Sequence, residues 1–153
     1  MNQKRRTLLK GTFAAGVAAG IGILTPKAVL AAWPKAAFEA KDVDTALTGA
    51  HGSAAHSASG DIKLKAPDIA ENGAVVPVTV TSKISGTDAI SIVVPANNLP
   101  LSANFNLGSG AQGYVSTRIK MGKTSDVIAV VKADGKLFSA KKQVKVTIGG
   151  CGG

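Results

Sequence analysis

From Asp61 onward, apolar residues fall on every second position. Ile62 and Leu64 alternate with lysines, and Val76, Val78 and Val80 with Pro77 and Thr79. Ile90, Ile92 and Val94 enclose Ser91 and Val93, and Phe105 and Leu107 enclose Asn106. Val115, Thr117 and Ile119 share one parity, as do Val144, Val146 and Ile148; residues 127–131 are apolar throughout. A period of two places one set of side chains on one face of a strand. Turn formers separate these runs: Glu71-Asn72-Gly73, Ser85-Gly86, residues 95–100, residues 108–113, Met121-Gly122-Lys123 and Ala133-Asp134-Gly135-Lys136. About seven or eight short strands with regular turns predict an immunoglobulin-like antiparallel β-sandwich, mainly β.

Ahead of the strands the period is helical. Ala36, Ala40, Val43 and Leu47 form one stripe, which predicts a single short N-terminal helix over residues 33–47. Pro34 suits its first turn, and Gly49 ends the pattern. Residues 51–60, HGSAAHSASG, read as a small polar loop. It holds both histidines, His51 and His56, which are expected to be solvated. A metal site needs three or four donors, and no carboxylate or thiol nearby completes one. No metal site and no cofactor are expected.

The first residues change the charge balance. Lys4-Arg5-Arg6-Thr7-Leu8-Leu9-Lys10 precedes an apolar run over residues 11–24, and small residues follow at Ala31-Ala32. Charged, apolar and small residues in that order mark an export signal. The pair Arg5 and Arg6 resembles a twin-arginine signal, which implies a folded, periplasmic protein cleaved after Ala31 or Ala32. The apolar run is shorter than the roughly 20 residues of a membrane helix, so no stable membrane insertion is expected. Five of the 18 basic residues precede the cleavage point, leaving 13 basic against 9 acidic. That mild excess, with no basic block interleaved with aromatics, argues against nucleic acid as a partner. The expected organisation is a signal at 1–31, helix and polar loop at 32–60, sandwich at 61–148, and a Gly-rich C-terminal arm at 149–153.

The chain has one cysteine, Cys151, between Gly149-Gly150 and Gly152-Gly153. A lone cysteine in an exported chain has no internal disulfide partner. Glycine's backbone freedom predicts a thin, mobile arm there. An ordinary thiol has a pKa near 8.5, so only a small share is thiolate at neutral pH. Lys145, the nearest cation in sequence, lies about 20 Å away along an extended chain, beyond the roughly 8 Å screening length. Nothing local activates Cys151, so no catalytic residue is assigned. Cys151 is expected to be a covalent attachment point whose chemistry other proteins supply. The alternative is an exported immunoglobulin-like structural module that dimerises through a Cys151 disulfide.

The terminal VKVTIGGCGG resembles the C-terminus of the SoxY family, sulfur carriers of the bacterial thiosulfate-oxidising Sox system. DIKLKAPDIAENGAVVPVTV is similar to that family's first strands, and STRIKMGKTSDVIAVVKADGKLFSAKKQVKVT to its last. The resemblance implies that Cys151 carries thiosulfate-derived sulfur. It also implies partners: SoxZ as a heterodimer, the haem protein SoxXA, the dimanganese hydrolase SoxB and, where present, the sulfur dehydrogenase SoxCD.

Overall fold

In the computed structural model, residues 34–147 are described. Two helices open this part of the chain, α1 (Lys35–Glu39) and α2 (Val43–His51). Nine strands follow: β1 (His56–Ala58), β2 (Ile62–Lys65), β3 (Ile69–Ala70), β4 (Val76–Ser82), β5 (Thr87–Val93), β6 (Leu101–Asn106), β7 (Tyr114–Ile119), β8 (Ser125–Ala133) and β9 (Lys136–Val146). One sheet runs β1-β9-β8-β5-β6, with β3 also paired to β9; the other runs β2-β4-β7. The long ladders are antiparallel, whereas β1 and β3 join β9 in parallel. This is the expected sandwich.

The alternating residues meet between the sheets. Val76, Val78 and Val80 of β4 face Ile90 and Ile92 of β5 and Val127, Ala129 and Val131 of β8, all essentially without solvent exposure. The unbroken apolar run of β8 reflects burial on both faces. Ile128 and Val130 pack in a second cluster with Ala37, Ala46 and Leu47 of the helices. A strand covered on both sides loses its polar alternation. The β8–β9 hairpin turns at Asp134 and Gly135, with φ of 49° and 74°. Asp-Gly is the pair a two-residue hairpin with positive φ favours.

The single helix expected over 33–47 is instead two. Ala40 is extended, with ψ of 141°, and Asp42 starts α2 by accepting a 2.8 Å hydrogen bond from the Thr45 N–H. An aspartate that caps its own downstream amides restarts a helix rather than continuing one. That bond also holds the Asp42 carboxyl below its ordinary pKa. The break rotates the buried face. Ala37, Ala40, Ala46 and Leu47 are buried, while Ala36 is exposed. Gly49 does not end the helix. It packs on Ala37, where a Cβ would stand 3.0 Å from the Ala37 Cα. The stop is Gly52, at φ 82°, whose N–H donates to Thr48 O at 2.8 Å. Trp33 lies outside the described residues.

Candidate functional site

Strand β9 leads towards Cys151 in sequence, and its end is held at three consecutive amides. The Lys145 N–H donates to Asp68 O at 2.9 Å and the Thr147 N–H to Ala70 O at 3.1 Å. Between them, the Val146 N–H donates to Thr124 Oγ1 at 2.9 Å. Every backbone donor from Lys145 to Thr147 thus has a partner. Val144 is fully buried and Val146 packs on the core, as their parity predicts. Ile148 lies outside the described residues.

The partner of this strand end is β3, only two residues long. A side chain fixes it in place. The Lys142 ammonium donates to Ala66 O at 2.5 Å and pairs with Asp68 Oδ1 at 3.0 Å. The next turn closes the other side. Met121 N–H donates to Gly73 O at 2.7 Å. A Cβ on Gly73 would lie 2.3 Å from Met121 O and 2.9 Å from Val146 Cγ1, so only glycine fits this close approach. Asn97 braces the same loop from beyond, donating to Lys120 O at 2.7 Å and accepting from the Gly122 N–H at 3.0 Å. An open depression of about 520 Å³ sits against it, lined in part by Asn98, Leu99, Ser102, Lys120 and Lys123.

Cys151 stands four residues beyond Thr147, across Ile148, Gly149 and Gly150. Fully extended, that stretch spans about 14 Å. Cys151, all four glycines, and Arg5 and Arg6 lie outside the described residues. What the structure supplies is the fixed base from which the segment departs.

The histidines divide. His56 is exposed, but it lies in β1, opposite Leu137 of β9, rather than in a loop. His51 is not the solvated loop residue expected; it is the half-buried last residue of α2. Its Nε2 lies 2.7 Å from Ser91 Oγ, and Ser91 donates onward to Asn104 Oδ1 at 2.7 Å. Ser91 has one proton, given to Asn104, so it accepts from the His51 Nε2–H. The relay ties α2 to β5 and β6. Ser91 was expected on the polar side of an alternating strand, yet it is fully buried because the helices cover that face. A helix laid over this face was the missing signal. Among the described residues no group of three or more His, Cys, Asp or Glu is placed to hold a metal. Nor is any helix among them long and apolar enough to cross a membrane.

Burial pushes the His51 pKa below its ordinary 6.5; Lys132 adds to this and Asp88 opposes it. The folded chain therefore binds fewer protons than the unfolded chain just below pH 6.5. Stability is full above that value and declines as the pH falls through it. The urea midpoint is expected to be lower at pH 5.5 than at pH 7.5. In His51→Gln that difference shrinks; an unchanged difference would remove His51 as its source.

The comparisons with known proteins come to the same place. The family model described as sulfur oxidation protein SoxY matches residues 46–151, and so includes Cys151. No curated protein sequence matches the chain. Among solved structures, the chain is similar to the sulfur carrier protein SoxY from Chlorobium limicola f thiosulfatophilum. The two share 46% sequence identity at a TM-score of 0.63, over 70% of this chain and 97% of that one. With the family model spanning well over half of its residues and a 46% identical structure sharing its sandwich, the chain belongs to the SoxY family.

Proposed function

We propose that the protein is a periplasmic sulfur carrier that holds thiosulfate-derived sulfur on Cys151 and presents it to partner enzymes. The observation that carries this reading is the hydrogen-bonded end of β9. It is secured through Thr147, four residues before the family's carrier cysteine. The protein is a covalent substrate carrier and not an enzyme. Arg5 and Arg6 direct its export by the twin-arginine pathway.

The chemistry follows from a thiol that meets its activating groups elsewhere. At SoxXA, the Cys151 thiol and thiosulfate couple through a new S–S bond. Two electrons go to the haem protein and the thiol proton is released, leaving a cysteine S-thiosulfonate. At SoxB, water cleaves the sulfur–sulfonate bond and sulfate departs, leaving a persulfide. Where SoxCD is present, it oxidises the remaining sulfane sulfur, and a second hydrolysis restores the thiol. The carrier acts throughout as a heterodimer with SoxZ.

Intact mass spectrometry tests the reading, on protein purified without reductant from thiosulfate-grown cells. Adducts of about +112 (S-thiosulfonate) and about +32 (persulfide) that map to Cys151 are expected. Unmodified Cys151 under active thiosulfate oxidation would count decisively against a carrier. A mass of twice the chain that collapses on reduction would favour the disulfide-linked structural module.

A further inference from the structure

The outer face of the three-stranded sheet has no covering layer among the described residues. Its composition follows from the register. Lys63 of β2 pairs across to Thr81 of β4, and Thr81 to Tyr114 of β7. Lys65 leads likewise to Thr79 and Ser116, and Pro77 pairs with Arg118. Beyond the Val76–Ile119 row come Val75 and Lys120. Lys63, Lys65, Arg118 and Lys120 are all exposed. Tyr114 and Val75 are 53% and 51% exposed, large values for such side chains.

The charge on this face is predominantly positive. Among the described residues, none of its four cations forms an ion pair. Three lysines elsewhere do: Lys35 with Glu39, Lys141 with Asp126 and Lys142 with Asp68. Asp61, two residues before Lys63 and of the same parity, sets one carboxylate against these four cations; its carbonyl accepts from the Lys83 N–H. Like charges two residues apart on one strand face repel, and a fold gains nothing by collecting them. An approaching anionic surface relieves that repulsion. The cationic rows also end at the base of the carrier segment. Arg118 is three residues from Met121, whose N–H is bonded to Gly73, and Gly73 lies against Val146.

We infer that this face, centred on Lys63, Lys65, Arg118 and Tyr114, is the docking platform for the acidic surface of an enzyme that receives the Cys151 segment. The inference rests on the carrier reading above and adds where and by what chemistry the enzyme lands. Size supports a brief visit. Three strands about 4.8 Å apart and about six residues of 3.4 Å make a patch roughly 14 by 20 Å. That falls well short of the roughly 800 Å² per partner of a stable complex. A carrier that visits several enzymes in turn needs fast arrival and fast release. Charge supplies the first, and a small contact area leaves the second intact.

The test uses the loaded carrier in complex with SoxZ, with SoxB as the probe enzyme. Wild-type kcat/KM is expected to fall about tenfold between low and 0.3 M salt, as screening shortens the field. Lys63→Glu/Arg118→Glu is expected to lower it about tenfold at low salt through KM, with kcat and thermal melting unchanged and the salt dependence flattened. Lys63→Gln/Arg118→Gln should fall between the two. Lys41→Glu/Lys136→Glu, with the same change in net charge away from the face, should behave as wild type. Equal loss in that control would overturn the platform in favour of net charge alone. Loss of the SoxZ complex in the face variant would also overturn it, since the face would then be the permanent interface. A wild-type-like face variant would overturn the platform and leave the carrier standing. If loaded wild type is no substrate at all, the carrier reading fails and this inference falls with it.

Discussion

Cys151→Ser is expected to reduce thiosulfate-dependent oxygen uptake to that of a strain lacking the carrier, while the purified protein melts as wild type does. The chemical half of the argument is the bond. In the proposed cycle thiosulfate enters by forming S–S with Cys151, and a serine hydroxyl offers no sulfur for it. No alternative thiol exists, because Cys151 is the only cysteine in 153 residues. The structural half is that the described fold closes without this residue. The backbone donors of β9 are satisfied through Thr147, and the core lies between the sheets. The substitution should therefore change stability by no more than about 0.5 kcal/mol, as surface changes do. Complementation of a deletion strain, with melting curves alongside, separates the two halves. Wild-type respiration in the variant would end the carrier hypothesis, whereas a large drop in melting temperature would mean the thiol packs against the fold.

The sandwich was legible because its two sheets share one core, which forces the period of two onto β2, β4, β5 and β7. Legibility failed wherever a face was covered a second time. The helices over β8 and β5 erased the alternation at Ile128 and Val130 and buried Ser91, which sequence alone assigns to solvent. It failed also where an element is shorter than its own signal. β1 and β3 have three and two residues and exist because β9 offers them an edge. Asp42 lies off the stripe of Ala36, Ala40, Val43 and Leu47, and its capping role depends on Ala40 turning extended. For the candidate site, Cys151 and its glycines stood out by composition. Their foundation did not. Lys142 reads as one of several lysines in β9 until its ammonium is found on Ala66 and Asp68.

Gly73→Ala is expected to destabilise the protein by about 1–3 kcal/mol, the range for an extra methyl forced into a packed site. Sequence marks Gly73 only as a turn former, and its φ is not positive, so alanine could adopt the same backbone. The objection is space alone. The added methyl would sit 2.3 Å from Met121 O, a carbonyl whose loop is anchored by the Met121 N–H to Gly73 O bond and by both atoms of the Asn97 amide. It would also press Val146 Cγ1 at 2.9 Å, against the last described turn of β9. Neither neighbour is the free end of a long side chain, so relief requires the Met121 loop and the β9 end to separate. Gly60→Ala is the matched control: no atom lies within 4 Å of its added Cβ, and its φ is not positive either, so it should be neutral or slightly stabilising. Urea titration measures the first effect, and amide hydrogen exchange at Val146 and Thr147 locates it. Faster exchange at those two amides, beyond the rise set by global stability, is the signature of a loosened foundation. A Gly73→Ala protein that unfolds at the wild-type urea concentration would show that the loop yields freely. The end of β9 would then be a less fixed base for the proposed carrier residue, Cys151, than its hydrogen bonds imply.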